Sequence, residues 1–160
     1  MTYRDNGAVG ALLDEYERAI NELKSIVETL TQMELIAIVD YLTKDDDCKS
    51  IQKILNHVIA AGYSYVVQIR KSKGEDIEYF PYQSFDNSKA YLTELDKMFA
   101  YNVKFFEDYP NLDLDDYEEH KFKVRWGPEF DIEQLFEHAI VHILRHRRQL
   151  ERFLLKLRTQ

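Results

Sequence analysis

The sequence predicts an all-α fold, a four-helix bundle with one long crossover before its last helix. Three observations predict it. Four long segments carry apolar residues at alternating spacings of three and four, the signature of one buried helical face. Breakers are scarce, with 5 Gly and 3 Pro in 160 residues, which favours long helices over a meander of short strands. The chain is also 45% hydrophobic and 13% aromatic, enough for a packed core rather than disorder.

The first helix reads from about Ala8 to Leu30, with Leu12, Tyr16, Ile20, Leu23, Val27 and Leu30 on one side. "TQME" at Thr31–Glu34 has capping-box spacing and predicts a short connecting helix through "LIAIVDYL". "TKDDDC" is a polar break, and Asp46 or Asp47 is placed to cap a second long helix from Cys48 to about Lys73. Its stripe is Ile51, Leu55, Val58, Gly62, Tyr65 and Ile69. Gly62 costs about 1 kcal/mol of helix stability relative to Ala, so its place in the stripe points to a close helix approach or a nearby ligand.

"KGEDIEYFPYQSFDNS" is a loop punctuated by Gly74 and Pro81, and a third helix follows from about Asn87 to Phe106, with Tyr91, Leu95, Met98, Asn102 and Phe105 on one side. The next stretch, about twenty residues without helical periodicity, is longer than an ordinary connection. Within it "FKVRW" alternates as a short extended segment or hairpin arm does. The last helix starts after Pro128, capped by Asp131 with Gln134 three residues on, and runs to about Arg158. The length suits a single domain over residues 1–160.

Composition excludes several classes of function. A net charge of −8 argues against nucleic acid, which wants a basic face. The local cluster Arg145, Arg147, Arg148 and Arg152 reads as a solvated face that complements the helix dipole. One cysteine, Cys48, excludes a disulfide framework and points to a reducing compartment. With no signal-peptide pattern and no apolar run of membrane-spanning length, the expectation is a cytoplasmic protein with no membrane partner.

The last helix holds three of the five histidines, His138, His142 and His146, each four residues from the next. Written as heptads, position a is Ile132, Ala139, His146 and Phe153. Position d is Leu135, His142, Gln149 and Lys156, and position e is Phe136, Ile143, Leu150 and Leu157. His142 and His146 therefore replace core residues, while His138 falls on the flank with Arg145 and Arg152. A lone histidine on an apolar face is ordinarily a hydrogen-bonded core residue. Two in succession, unpaired, would be costly to bury. One turn apart, with Cβ atoms about 6 Å from each other, two imidazoles can chelate one metal.

A third ligand is expected from another helix facing the same interior. His57, in "KILNHVIAAGY" beside Ile54 and Ala61, is better placed than His120, which sits among charges in "DDYEEHKFK". The zinc-protease pattern H-E-x-x-H is absent, and no histidine has a glutamate three residues before it, as a ferritin-like di-iron site needs. What remains is one metal on His57, His142 and His146 with open coordination positions, the arrangement of a catalytic rather than a structural site. Cys48, placed at a helix start, is a weaker candidate for a lowered pKa and a reactive thiol. Tyr63, Tyr65 and Trp126 are the aromatics best placed to line a ligand pocket.

"NHVIAAGYSYVVQIRK" together with "VHILRHRRQLERFLLKL" resembles the DinB/YfiT-like family, whose pattern is a histidine early in the second helix and H-x-x-x-H-R-x-Q in the last. The matching residues are His57, His142, His146, Arg147 and Gln149, and the likeness in helix order and long crossover extends over the chain. The resemblance implies a down-up-up-down bundle and one divalent metal on the three histidines, nickel or zinc before iron or manganese. It also implies a homodimer and a reaction on a small-molecule substrate in which a low-molecular-weight thiol is transferred or used to isomerise or open the substrate; a metal-activated water, and so hydrolysis, is the other reaction such a site would support. The alternative is a non-catalytic stress-response bundle that binds a metal or small ligand. Where the family commonly has glycine after H-R, this chain has Arg148, a bulky cation able to alter helix packing or a pocket rim.

Overall fold

The computed structural model describes residues 3–5, 7–116 and 118–159. Among them, four long helices pack together and a small hairpin precedes the last. The elements are α1 (Gly7–Val27), α2 (Gln32–Ile36), a 3-10 turn (Asp46–Cys48), α3 (Ile51–Ser72), α4 (Ser88–Asp108), β1 (Phe122–Lys123), β2 (Glu129–Phe130) and α5 (Ile132–Arg158). No described helix is long and apolar enough to cross a membrane.

The expected stripes form the core. Leu12, Tyr16, Ile20, Leu23 and Val27 of α1 are buried, as are all six expected positions of α3 and all five of α4. In α5 the heptad holds from Ile132 to Phe153, with Gln149 only half-buried and Lys156 exposed. α1 packs on α5 and α4, and α3 packs on the same two helices, so one apolar interior serves all four. Gly62 marks a close approach: a methyl group there would fall on Sδ of Met98, with Cγ 2.9 Å away. Its carbonyl accepts from Asn102 Nδ2 of α4 at 3.3 Å.

Contacts along the helix pairs have a consistent sense. Between α3 and α4, Tyr91 meets Asn56 near the start of both helices, and Arg70 donates to Asp108 near their ends. Between α1 and α4 the sense reverses, since Tyr16 meets Phe99 while Lys24 meets Asp96.

The connections depart from expectation in two places. Thr31 does build a reciprocal capping box with Glu34, but the short helix ends at Ile36 instead of continuing through "LIAIVDYL". Beyond it the backbone is drawn into pairing with the segment before α3, through the bridge Ile38–Ser50 and a Val39 N–H donated to the Lys49 carbonyl at 2.9 Å. The expected caps Asp46 and Asp47 are also displaced. Asp45 caps the 3-10 turn, and Ser50 caps α3 by accepting from Lys53 N–H. The cap of α5 is as expected, with Asp131 and Gln134 exchanging bonds at 2.8 and 3.2 Å.

The "FKVRW" expectation is met by β1, paired antiparallel with β2. The tip closes through Val124 and Gly127. Gly127 sits at φ +116°, a conformation open to glycine. Buried Gln68 of α3 accepts the Arg125 N–H at 2.8 Å, which seats the tip, with Arg125 and Trp126, against the helix that carries His57.

Candidate metal centre

α3 and α5 bring three imidazoles together. Ser50 and Asp131 fix where each helix begins, and the apolar stripes then turn His57 and the His142/His146 pair toward each other. The Nε2 atoms of His57 and His142 are 2.9 Å apart, and those of His142 and His146 are 3.2 Å apart. Each residue offers one ligand atom, and the three atoms lie within 4.8 Å of one another. Among the described residues this is the group of histidine, cysteine and carboxylate side chains able to hold a metal ion.

Nitrogens bound to one ion at about 2.0–2.1 Å stand about 2.8 to 3.4 Å apart for bond angles between a right angle and a tetrahedral one. Both measured separations fall inside that interval. The far sides of the rings matter equally. Gln149 Oε1 lies 3.1 Å from His146 Nδ1, so Nδ1 carries the proton and Nε2 presents a lone pair inward. Asp47 Oδ2 lies 3.4 Å from His57 Nδ1 and favours the same tautomer there. His142 Nε2 can donate a proton toward one of these lone pairs but not both. Buried lone pairs aimed at each other are costly without a cation between them.

Electrostatics favours metal-ready rings. Burial pushes His142 down to about 2, with His146, His57, His138 and Arg145 adding to the effect. His146 is pushed down to about 4, chiefly by burial and then by His57, against the raising effect of the Gln149 hydrogen bond. Both rings are therefore neutral at physiological pH, as a metal ligand must be.

The surroundings are aromatic. Tyr65 stands edge-on to His142 at 5.9 Å and to Trp126 at 5.8 Å. Trp126 stacks on His138 at 5.8 Å. His138 thus stays on the flank, in an aromatic cage beside the cluster rather than in it, and burial lowers its pKa. Tyr63 points elsewhere, stacking on Phe80 at 4.3 Å and donating to Glu94 at 2.9 Å. His120 lies outside the cluster, on the wall of a separate 380 Å³ cleft beyond the end of α4.

The surroundings of Cys48 do not favour a reactive thiol. The residue sits in the 3-10 turn, not at the start of α3, and burial raises its pKa, with the Asp45 and Asp47 carboxylates adding to the rise. Arg148 is exposed and lines a 250 Å³ cleft with Gln149, Arg145, Arg152 and Asp40. It sits at a pocket rim rather than in helix packing.

Two participants escaped sequence reasoning. Asp47 was visible only as a helix cap, because its approach to His57 depends on how the 3-10 turn folds back. Arg125 lies in the aperiodic crossover, yet it shares a 310 Å³ cleft with His57. No protein-family model and no curated protein matches this chain, so the DinB/YfiT likeness rests on the residues of the chain itself.

Proposed function

We propose that the protein is a divalent-metal-dependent enzyme of the DinB/YfiT-like kind. In this reading His57, His142 and His146 hold one ion, nickel or zinc before iron or manganese, and the reaction is transfer of a low-molecular-weight thiol or hydrolysis of a small-molecule substrate. The observation that carries it is the convergence of three Nε2 atoms, with Gln149 bonded to Nδ1 of His146 and Asp47 3.4 Å from Nδ1 of His57, contacts that favour the inward lone pairs. The down-up-up-down order is supported by the sense of the interhelical contacts, shared by α3 with α4 and opposed between α1 and α4.

A divalent ion held by His57, His142 and His146 would supply the positive charge that lowers the pKa of a bound thiol or water. The chain's own residues do the rest. Gln149 and Asp47 hold two rings in orientation. Tyr65 and Trp126 cover the His142 side against water. His57, half-buried, borders the open cleft through which a small molecule would enter. Burial and the neighbouring Asp45 raise the pKa of the lone cysteine, against the lowering Gln149 contact, so in this reading the reacting thiol is a cosubstrate. The family likeness also carries the expectation of a homodimer, which sedimentation analysis checks.

Elemental analysis of protein purified without a histidine tag tests the site. About one divalent ion per chain is expected, lost in the triple variant His57→Ala, His142→Ala, His146→Ala. Metal-free protein whose metal affinity is unchanged in that variant refutes the reading. With loaded protein, an electrophile and a panel of thiols test the chemistry. Full loading with neither S-transfer nor hydrolysis moves the assignment to a non-catalytic metal- or ligand-binding bundle.

A further inference from the structure

The cleft beside His57 has walls of two chemical kinds. Asp47, Ala60, Ala61 and Ser64 line it together with Tyr79, Phe80 and Tyr82 from the α3–α4 connection and Arg125 from the hairpin tip. Its volume, 310 Å³, suits a small organic molecule. Phe80 and Tyr82 are 46% and 54% exposed and so present aromatic surface at the cleft.

Arg125 is the cation on this wall. Its guanidinium lies 4.2 Å from the centre of the Tyr79 ring, and its backbone is pinned by Gln68. The other arginines with ion pairs show what is missing here. Arg4, Arg18, Arg70, Arg147 and Arg158 each meet a carboxylate; among the described residues Arg125, Arg145, Arg148 and Arg152 do not, and of these Arg125 is the one on the wall of the His57 cleft, its guanidinium against the Tyr79 ring. In a chain with 29 acidic and 21 basic side chains, carboxylate partners are plentiful. The wall's own carboxylate, Asp47, is engaged by the Tyr82 hydroxyl at 2.9 Å and by His57.

We propose that this cleft is a substrate site for a small aromatic or apolar monocarboxylate, with Arg125 meeting the carboxylate and Phe80 and Tyr82 covering the apolar part. A guanidinium stacked on a ring presents paired N–H donors that match the two oxygens of one carboxylate. One guanidinium in the lining matches one carboxylate, and the Asp47 carboxylate in the same cleft disfavours a second anionic group. The inference rests on the metal reading only for which end of the bound molecule faces His57.

Calorimetry with phenylacetate and its uncharged amide, phenylacetamide, tests it on protein with and without metal. Wild type should bind phenylacetate more tightly than the amide. Arg125→Gln should weaken phenylacetate about tenfold, with the amide and the metal content unchanged. Arg125→Lys should recover part of the loss, and Arg152→Gln, outside the cleft, should show none. Equal binding of acid and amide, no binding of either, or indifference to Arg125→Gln overturns the proposal. Phenylacetate binding that disappears with the metal and ignores Arg125 places the carboxylate on the ion and also overturns it. Arg125-dependent binding to protein that never takes up metal sustains the cleft while the metal reading falls.

Discussion

Replacing Gln149 by Leu removes the amide and leaves a somewhat shorter, apolar branched side chain. In the folded protein Gln149 Oε1 is 3.1 Å from His146 Nδ1, and the His146 residue is only 6% exposed, so water is poorly placed to substitute. Two consequences follow. Without metal, a buried N–H loses its partner, which costs about 1–3 kcal/mol of stability. With metal, His146 loses the bond that fixes its tautomer and raises its basicity. Losing such a partner lowers affinity by about 10- to 100-fold, or about 1.4–2.7 kcal/mol. Gln149→Glu restores an acceptor and adds charge, and should bind metal at least as well as wild type. Competition for zinc against a chromophoric chelator reads the affinity, and thermal melting of the metal-free protein reads the stability. Gln149 also accepts weakly from Cys48 Sγ at 3.9 Å, so Cys48→Ala serves as the control and should leave both values near wild type. A Gln149→Leu affinity within about threefold of wild type, against the expected loss, refutes the lone-pair argument at His146.

Three further outcomes are expected. Because His142 and His146 are pushed below the ordinary 6.5, their neutral forms are favoured by folding. The metal-free protein should therefore hold its stability above about pH 6.5 and lose up to about 1.4 kcal/mol per pH unit per ring as pH falls toward 4; chemical denaturation at stepped pH checks this, and a flat profile from 7 to 5 contradicts it. Gly62→Ala should destabilise by about 1–2 kcal/mol, since crowding against buried Met98 outweighs the helix-propensity gain, as measured by urea titration. Arg70→Met should cost about 2–3 kcal/mol, because Arg70 is buried between Glu75 and Asp108, which are about one-third exposed and so partly rehydrate; equilibrium unfolding that shows no loss would deny that ion pair a role in joining α3 to α4.

Periodicity carries what it can carry. The stripes of α1, α3, α4 and α5, and the placing of His142 and His146 among core positions, follow from residue spacing because burial along a helix repeats every turn. His57 was reachable as the histidine at the edge of the facing stripe. The segment from Ala37 to Ser50 departs from the expected helix because its backbone bonds go to a distant partner, Ile38 with Ser50 and Val39 with Lys49, which local propensity does not register. Asp47 and Arg125 reach the site from irregular chain, and irregular chain has no period to read.

His57 and His142 are 85 residues apart, with all of α4 and both of its flanking connections between them. An ion shared by the two would act as a reversible staple closing that whole loop, restricting the unfolded chain much as a long-range cross-link does. Chelation would then do more than empty a site. It would free the ends of the loop that contains the hairpin tip, Trp126 and Arg125, so susceptibility of the crossover to proteolysis becomes a gauge of metal occupancy.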